Sequence, residues 1–258
     1  MPEDKRPPQG RNKVRLTQPD LPDGEVATLL ATAPITGFGL HPLGSNHVFV
    51  VKLESAGGDP LYGIYKPQAG ERPLRDFPRG TLYRRECAAY ELSVALGWPA
   101  IPPTVIREGP HGVGSVQLFI DADPAANFFT MRESELPAFE PVAAFDFLAN
   151  NADRKAGACL KDRAGKVWAI DQGLTFNPYA LQRTVMWEFC GERIADRLVE
   201  DMKRVVPELD PRARLGCRLE ELLVKGERHA LCERLERIIA EPVFPVLDPN
   251  YNVPWPLV

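Results

Sequence analysis

The run ANNADRKAGACLKDRAGKVWAIDQG places two aspartates, Asp153 and Asp171, at the outer ends of a predicted β-hairpin. β-formers at 158–161 and 166–170 flank turn residues at 162–165, and a hairpin folds its two ends together. One carboxylate then lies in a loop and the other just before a Gln-Gly pair. That suits a base beside a metal ligand, the layout used to move a phosphoryl group. Asp153 also fits a plainer role, because Asn, Asp and Arg in a loop often cap a helix end.

Lys66 ends the strand-like run YGIYKP. Its stem can pack on a sheet while its ammonium faces phosphate oxygens, or it can be a solvated strand-end lysine. Glu86 favours the first reading. At 3.6 residues per turn it shares a face with Leu82, Ala89, Tyr90 and Ser93. A carboxylate on an inward stripe needs a partner, since an unpaired buried charge costs several kcal/mol. Lys66, on the neighbouring strand, is the natural one; the alternative is a single exposed face of Arg84, Arg85 and Glu86. The turn at 43–46 offers Gly44 for close backbone approach and the N–H groups of Ser45 and Asn46 for a phosphate. It is not a Walker loop, because no GK[ST] follows. The four histidines are scattered and are read as structural or exposed.

These residues need a frame to bring them together. Residues 1–23 are polar and rich in Pro, Lys and Arg, and are expected to be a disordered tail. Strands are predicted at 33–40, 47–53 and 61–66 as an antiparallel meander, joined by turns at 41–46 and 55–60. A helix follows from Thr81 as N-cap to Leu96, stopped by Gly97. A hairpin spans 102–107 and 115–120, and 121–127 links to a mainly helical part. Helices are expected at 138–149, 182–197, 212–225 and 228–240, with Trp187 in the core. The outline is α+β: a small antiparallel β lobe with one helix over 24–120, then a helical lobe over 121–258, as in a protein-kinase-like fold.

Composition sets bounds on partners. A formal net charge of −4 argues against a general nucleic-acid or anionic-membrane surface. No apolar run approaches the ~20 residues needed to span a bilayer, and the charged start does not read as a signal peptide. Membrane insertion is therefore not expected, and the location expected is cytoplasmic. Five cysteines without a CxxC pair read as reduced, mostly buried thiols.

The segments YKPQAGERPLRDFPRGTLYRRECAAY, IPPTVIREGPHGVGSVQLFI, FDFLANNADRK and VWAIDQGLTF, followed by LQRTVMWEF, appear in an order and spacing that resemble one family. It is an uncharacterised, mainly actinobacterial family related to the phosphatidylinositol 3- and 4-kinase-like group. The resemblance implies that Lys66 contacts the α- and β-phosphates of ATP and pairs with Glu86. It implies that Asp153 positions or deprotonates the acceptor hydroxyl and that Asp171 binds Mg²⁺. The stretch 117–121, with Gln117, Phe119 and Asp121, would hold the adenine as a hinge. Arg154 or Lys155 would steady the transferring group. One departure stands out: the related kinases show DRHxxN, whereas here Lys155 replaces the histidine and Ala158 the metal-binding asparagine. Asn150 or Asn151 would then substitute, or one Mg²⁺ would be held firmly.

Phosphoryl transfer asks mainly for positioning and positive charge around the triphosphate. The reading is an ATP-dependent phosphotransferase acting on a protein or small-molecule hydroxyl. A nucleotide-binding pseudokinase working through protein contacts is the alternative, and a module that has kept only the fold is a third. A lipid acceptor is disfavoured, because no basic or amphipathic membrane-attaching element is present.

Overall fold

The computed structural model describes residues 21–41, 47–54 and 59–258. The expected tail at 1–20 and the turns at 42–46 and 55–58 lie outside the described residues. Five strands form one antiparallel sheet: β1 (Ile35–Leu40), β2 (Phe49–Leu53), β3 (Leu61–Pro67), β4 (Thr104–Gly109) and β5 (Gly112–Leu118). Their order is β1-β2-β3-β5-β4. β3 alternates buried and half-buried positions, so Leu61, Gly63 and Tyr65 face the core while Lys66 points to the opposite face. The β4–β5 hairpin extends beyond its predicted ends: Gly109 pairs with Gly112, and Gly114 lies within the ladder. A Cβ on Gly114 would sit 2.5 Å from the carbonyl oxygen of Lys66, so glycine lets β5 close on β3 beside that lysine.

A helix without a sequence prediction, α1 (Asp23–Thr32), buries Val26 and Leu30 against the sheet. Two buried positions make too narrow a stripe to stand out in the sequence. Arg107 Nη1 completes its C-terminal end by donating to the carbonyls of Leu30 and Ala33. Helix α2 (Leu82–Leu96) begins after Thr81 and ends at Gly97, whose φ of 84° is the left-handed stop a glycine supplies. Thr81 makes no side-chain cap; Glu71 Oε1 accepts the Tyr83 N–H in its place. Cys87, Ala88, Leu92 and Leu96 of α2 belong to the large core of the helical part. The sheet keeps a separate, smaller core with Val51, Leu53, Tyr65 and Val116.

Helix α3 (Phe128–Leu148) starts ten residues earlier than expected, at the N-cap Asn127, whose side chain accepts from Phe129 and Thr130. It kinks at Glu135, just before Pro137. The hairpin β6 (Cys159–Lys161) and β7 (Val167–Ala169) follows with Cys159 opposite Ala169. Asp162 builds its turn by accepting from Ala164 N–H, Lys166 N–H and Trp168 Nε1.

The helix predicted at 182–197 is absent. Backbone donors there bond sideways: Arg183 to Asn151, Thr184 to Asn252, Val185 to Arg154 and Ile194 to Pro242. Tertiary pairing outweighs helix propensity, leaving one 3₁₀ turn at Trp187–Phe189 in which Trp187 is half-buried. Helices α4 (Asp196–Val205), α5 (Arg214–Leu222) and α6 (Lys225–Ala240) complete the chain. The five cysteines are all free, but only Cys87 and Cys159 are buried. No helix among the described residues is long and apolar enough to cross a membrane.

Candidate active site

Lys66, Glu86 and Asp171 meet between the sheet and the helical lobe. Lys66 Nζ lies 2.5 Å from Glu86 Oε1 and 2.7 Å from Asp171 Oδ1. Arg85 and Glu86 are both buried, which removes the reading of 84–86 as one exposed charged face. The second oxygen of Glu86 accepts the Gln172 N–H at 3.0 Å. The carboxylate therefore ties β3 to the segment after β7. Burial alone would lower the Lys66 pKa, but the charges and hydrogen bonds of Asp171 and Glu86 outweigh it and hold the ammonium above its ordinary range.

Asp171 is 64% exposed in its side chain, against 5% for Glu86. The positive charge of Lys66, with those of Arg154 and Lys155, holds the Asp171 carboxyl below the usual carboxylate range. Its backbone adopts φ 57°, and Asn150 (φ 50°) and Phe176 (φ 65°) are the other non-glycine residues of positive φ among those described. All three lie in the loop segments around the two aspartates. Such conformations cost about 1–3 kcal/mol each and cluster at functional sites. Gly173 completes the DQG run, where a Cβ would come within 3.3 Å of Glu86 Oε1.

Asp153 lies on the loop after α3, with Lys155 Nζ 3.1 Å from its Oδ2. Burial raises its pKa, opposed by Lys155 and reinforced by the charge of Asp171. The hairpin ends are held together by the Ile170 N–H donating to the Ala158 carbonyl and by Arg154 Nη1 donating to the Ile170 carbonyl. Asn151 shapes the loop from beneath: its Oδ1 accepts the Asp153 N–H at 2.9 Å and its Nδ2 donates to Asp146 Oδ1 at 2.9 Å. It is fully buried. Arg154 is also fully buried, with Nε and Nη2 on the two oxygens of Asp146 and Nη1 on the carbonyls of Ala158 and Ile170. A guanidinium enclosed in this way braces the loop and the hairpin and does not face a transferring group, unlike the half-exposed Lys155. Residues 248–258 pack on the same loop, where Leu257 accepts the Ala156 N–H and Asn252 Nδ2 donates to the Gln182 carbonyl.

The stretch expected to be the hinge is partly committed. Gln117 is buried inside the ladder, opposite Ile64 and Thr104, with its Nε2 on Thr104 Oγ1. The N–H of Phe119 donates to the Tyr62 carbonyl. The strand leaves the sheet only at Phe119, and Asp121 lies beyond it with Arg163 at 3.6 Å. Gly44, Ser45 and Asn46 lie outside the described residues.

The exposed carboxylate of Asp171 could serve as one oxygen ligand of a hard divalent ion. Among the described residues no three His, Cys, Asp or Glu side chains gather around one point. Asp171 presents an exposed hard carboxylate, and Mg²⁺ is commonly held by one or two carboxylates with phosphate oxygens and water. Asn151, with both ends of its amide engaged underneath the loop, is placed as a brace and not as an outward ligand. Ala158 at the other asparagine position is buried and has no donor atom.

Asp146, Arg85, Glu227 and Gln172 carry much of the support and were not singled out in the sequence. The argument that located Glu86 applies to Asp146: a carboxylate inside the apolar helical run FDFL needs a partner, and Arg154 lies in the loop that follows.

No family model matches the chain. Protein Rv2133c of Mycobacterium tuberculosis (strain ATCC 25618 / H37Rv) is 33% identical over 264 residues, covering 88% of this chain and 94% of that protein. The chain belongs to the Rv2133c family. Phosphatidylinositol 4-kinase gamma 4 of Oryza sativa subsp. japonica is 28% identical over 166 residues, half of this chain but only 29% of that protein. Among solved structures, the Golgi casein kinase with Mn/ADP bound superposes with a TM-score of 0.58 at 14% identity, over 88% of this chain and 80% of that one. Hydra Fam20 with sugar gives 0.58 at 16% identity, over 86% and 88%. The Helicobacter pylori proinflammatory kinase CtkA gives 0.52 at 10%, over 83% and 94%. The fold is kinase-like, a two-lobed α+β arrangement.

Proposed function

We propose that this protein is a magnesium- and ATP-dependent phosphotransferase that carries the γ-phosphate to the hydroxyl of a protein or small molecule. The observation that supports it most is the pair of contacts Lys66 makes, with Glu86 and with Asp171, in a kinase-like fold. Lys66 holds its positive charge where phosphate oxygens would lie, and Glu86 fixes its direction from the buried side. Asp171 would hold Mg²⁺, with its side chain open to solvent. The ion, when bound, neutralises charge on the phosphates. Asp153 orients the acceptor hydroxyl and takes its proton, and Lys155 meets the charge of the transferring group. The Golgi casein kinase structure, which holds Mn/ADP, is consistent with a nucleotide and a divalent ion in this cleft. The half-chain match to a phosphatidylinositol 4-kinase is consistent with a relation to the phosphatidylinositol 3/4-kinase-like group. A cytoplasmic location accords with this use of ATP.

A second reading has its own observation. Asn151 is fully buried and Ala158 replaces the usual asparagine, so the site has one strong metal carboxylate. A nucleotide-binding pseudokinase would need no more.

The test is release or transfer of radiolabelled γ-phosphate from Mg-ATP, wild type beside Asp153→Asn. Label transfer that Asp153→Asn suppresses supports the first reading. Nucleotide binding with no transfer by the wild type selects the second.

A further inference from the structure

We propose that Arg85 is a positioning residue for the Lys66–Glu86–Asp171 cluster, working through its buried pair with Glu227 and its bond to Thr175. The proposal rests on the phosphotransferase reading only where nucleotide affinity is used as the readout.

Arg85 precedes Glu86 on α2 and is 1% exposed. Its Nη2 donates to Glu227 Oε1 on α6, and its Nη1 to the Thr175 carbonyl at 2.7 Å. The Thr175 hydroxyl donates to the Gln172 carbonyl at 2.7 Å, and the Gln172 N–H donates to Glu86 Oε2 at 3.0 Å. The path therefore closes on the residue next to its start: Arg85, Thr175, Gln172, Glu86. Glu227 is itself fixed, its Oε2 accepting the Val224 N–H where α6 begins.

One guanidinium thereby registers three elements: the helix that carries Glu86, the segment that follows Asp171, and α6. A planar fork can make such bonds in two directions at once, whereas an ammonium is a single compact charge. The other polar ties of α2 to the helical lobe lie farther along it. Glu91 pairs with Arg214 and Arg218, and Arg204 donates to the carbonyls of Ala95 and Leu96. These secure the far end of α2, and none of them touches the segment after Asp171. A buried ion pair is weak evidence for stability, since apolar replacements are often neutral. What this pair contributes is alignment: if α2 turns or slides, Glu86 leaves Lys66 and Gln172 together.

The experiment follows the Lys66 ammonium by heteronuclear NMR without nucleotide, with Mg-ATP affinity measured in parallel. The variants are Arg85→Met/Glu227→Met, which replaces the pair with apolar side chains, and Arg85→Lys, which keeps the charge and loses the fork. Arg218→Ala, which removes only a distal tie of α2, is the control. Unfolding curves identify which variants are folded. The expected result is that folded Arg85 variants lose the protected ammonium signal. Their Mg-ATP affinity falls roughly 10- to 100-fold, the usual effect of losing a group that orients a ligand, while Arg218→Ala matches wild type. A wild-type ammonium signal in a folded Arg85 variant overturns the proposal, whatever the nucleotide does. A wild type that binds no nucleotide, with the ammonium signal still dependent on Arg85, overturns the phosphotransferase reading and leaves the role of Arg85 standing.

Discussion

Lys66 and Arg154 are both cations held between oxygens, and they teach opposite lessons. Arg154 is closed in: both oxygens of Asp146 and two backbone carbonyls enclose it, with no exposed surface left. Lys66 is held on one side by the buried Glu86 and on the other by Asp171, whose side chain is largely exposed. The first arrangement is complete in itself and can only hold the fold. The second ends in a carboxylate turned to solvent, and a ligand can displace or join it. In charge the two look alike; burial of the partner separates structure from chemistry.

The largest effect expected from this contrast is on stability. Asp146→Asn leaves the Arg154 charge buried and underpaired, and should cost about 3–5 kcal/mol in denaturant unfolding. Asp171→Asn, at the open cluster, should change stability by less than ~1 kcal/mol, as for other exposed pairs, while removing magnesium-dependent nucleotide binding. Equal stability losses in the two variants would erase the distinction.

Asp153→Asn should leave nucleotide binding in place and slow transfer by ~100-fold or more, the usual contribution of a positioned acid–base group. Single-turnover kinetics with bound ATP would show it.

The two aspartates should also respond oppositely to pH. Lys66 holds Asp171 below the ordinary carboxylate value of ~3.9. Its stabilising contribution is therefore complete above that value and is lost as acidification passes the lower folded value. Burial raises Asp153, so the folded state keeps its proton longer and loses stability as pH rises from ~3.9 through the raised value. The basic form of Asp153 is complete only above that point. The transfer rate should climb there with pH, and this limb should vanish in Asp153→Asn.

At the small end, Lys203→Ala removes the exposed Lys203–Glu200 pair on α4 and should shift stability by no more than ~0.5 kcal/mol.

The fold was legible where local chemistry agrees with tertiary packing. The meander, the Gly97 stop and the β6–β7 hairpin carry turn residues and β-formers at their own positions. The helix expected at 182–197 does not form because backbone bonds there cross to 151, 154, 242 and 252, contacts that no window of sequence contains. The Lys66–Glu86 pair was readable because a carboxylate interrupted an apolar stripe. Between Arg154 and Lys155 the sequence does not choose a partner for the transferring group, because Asp146, which encloses Arg154, sits inside the preceding helix. Arg85 had no signal of its own, since Glu227 lies 142 residues away.

The proposed function needs Lys66, Glu86 and Asp171 to form a magnesium–nucleotide site. Calorimetry of Mg-ATP binding, wild type beside Asp171→Asn, tests it most directly. The expected result is binding by the wild type that requires magnesium and disappears in a folded Asp171→Asn. No binding by the wild type, or binding that survives in the variant, would contradict it.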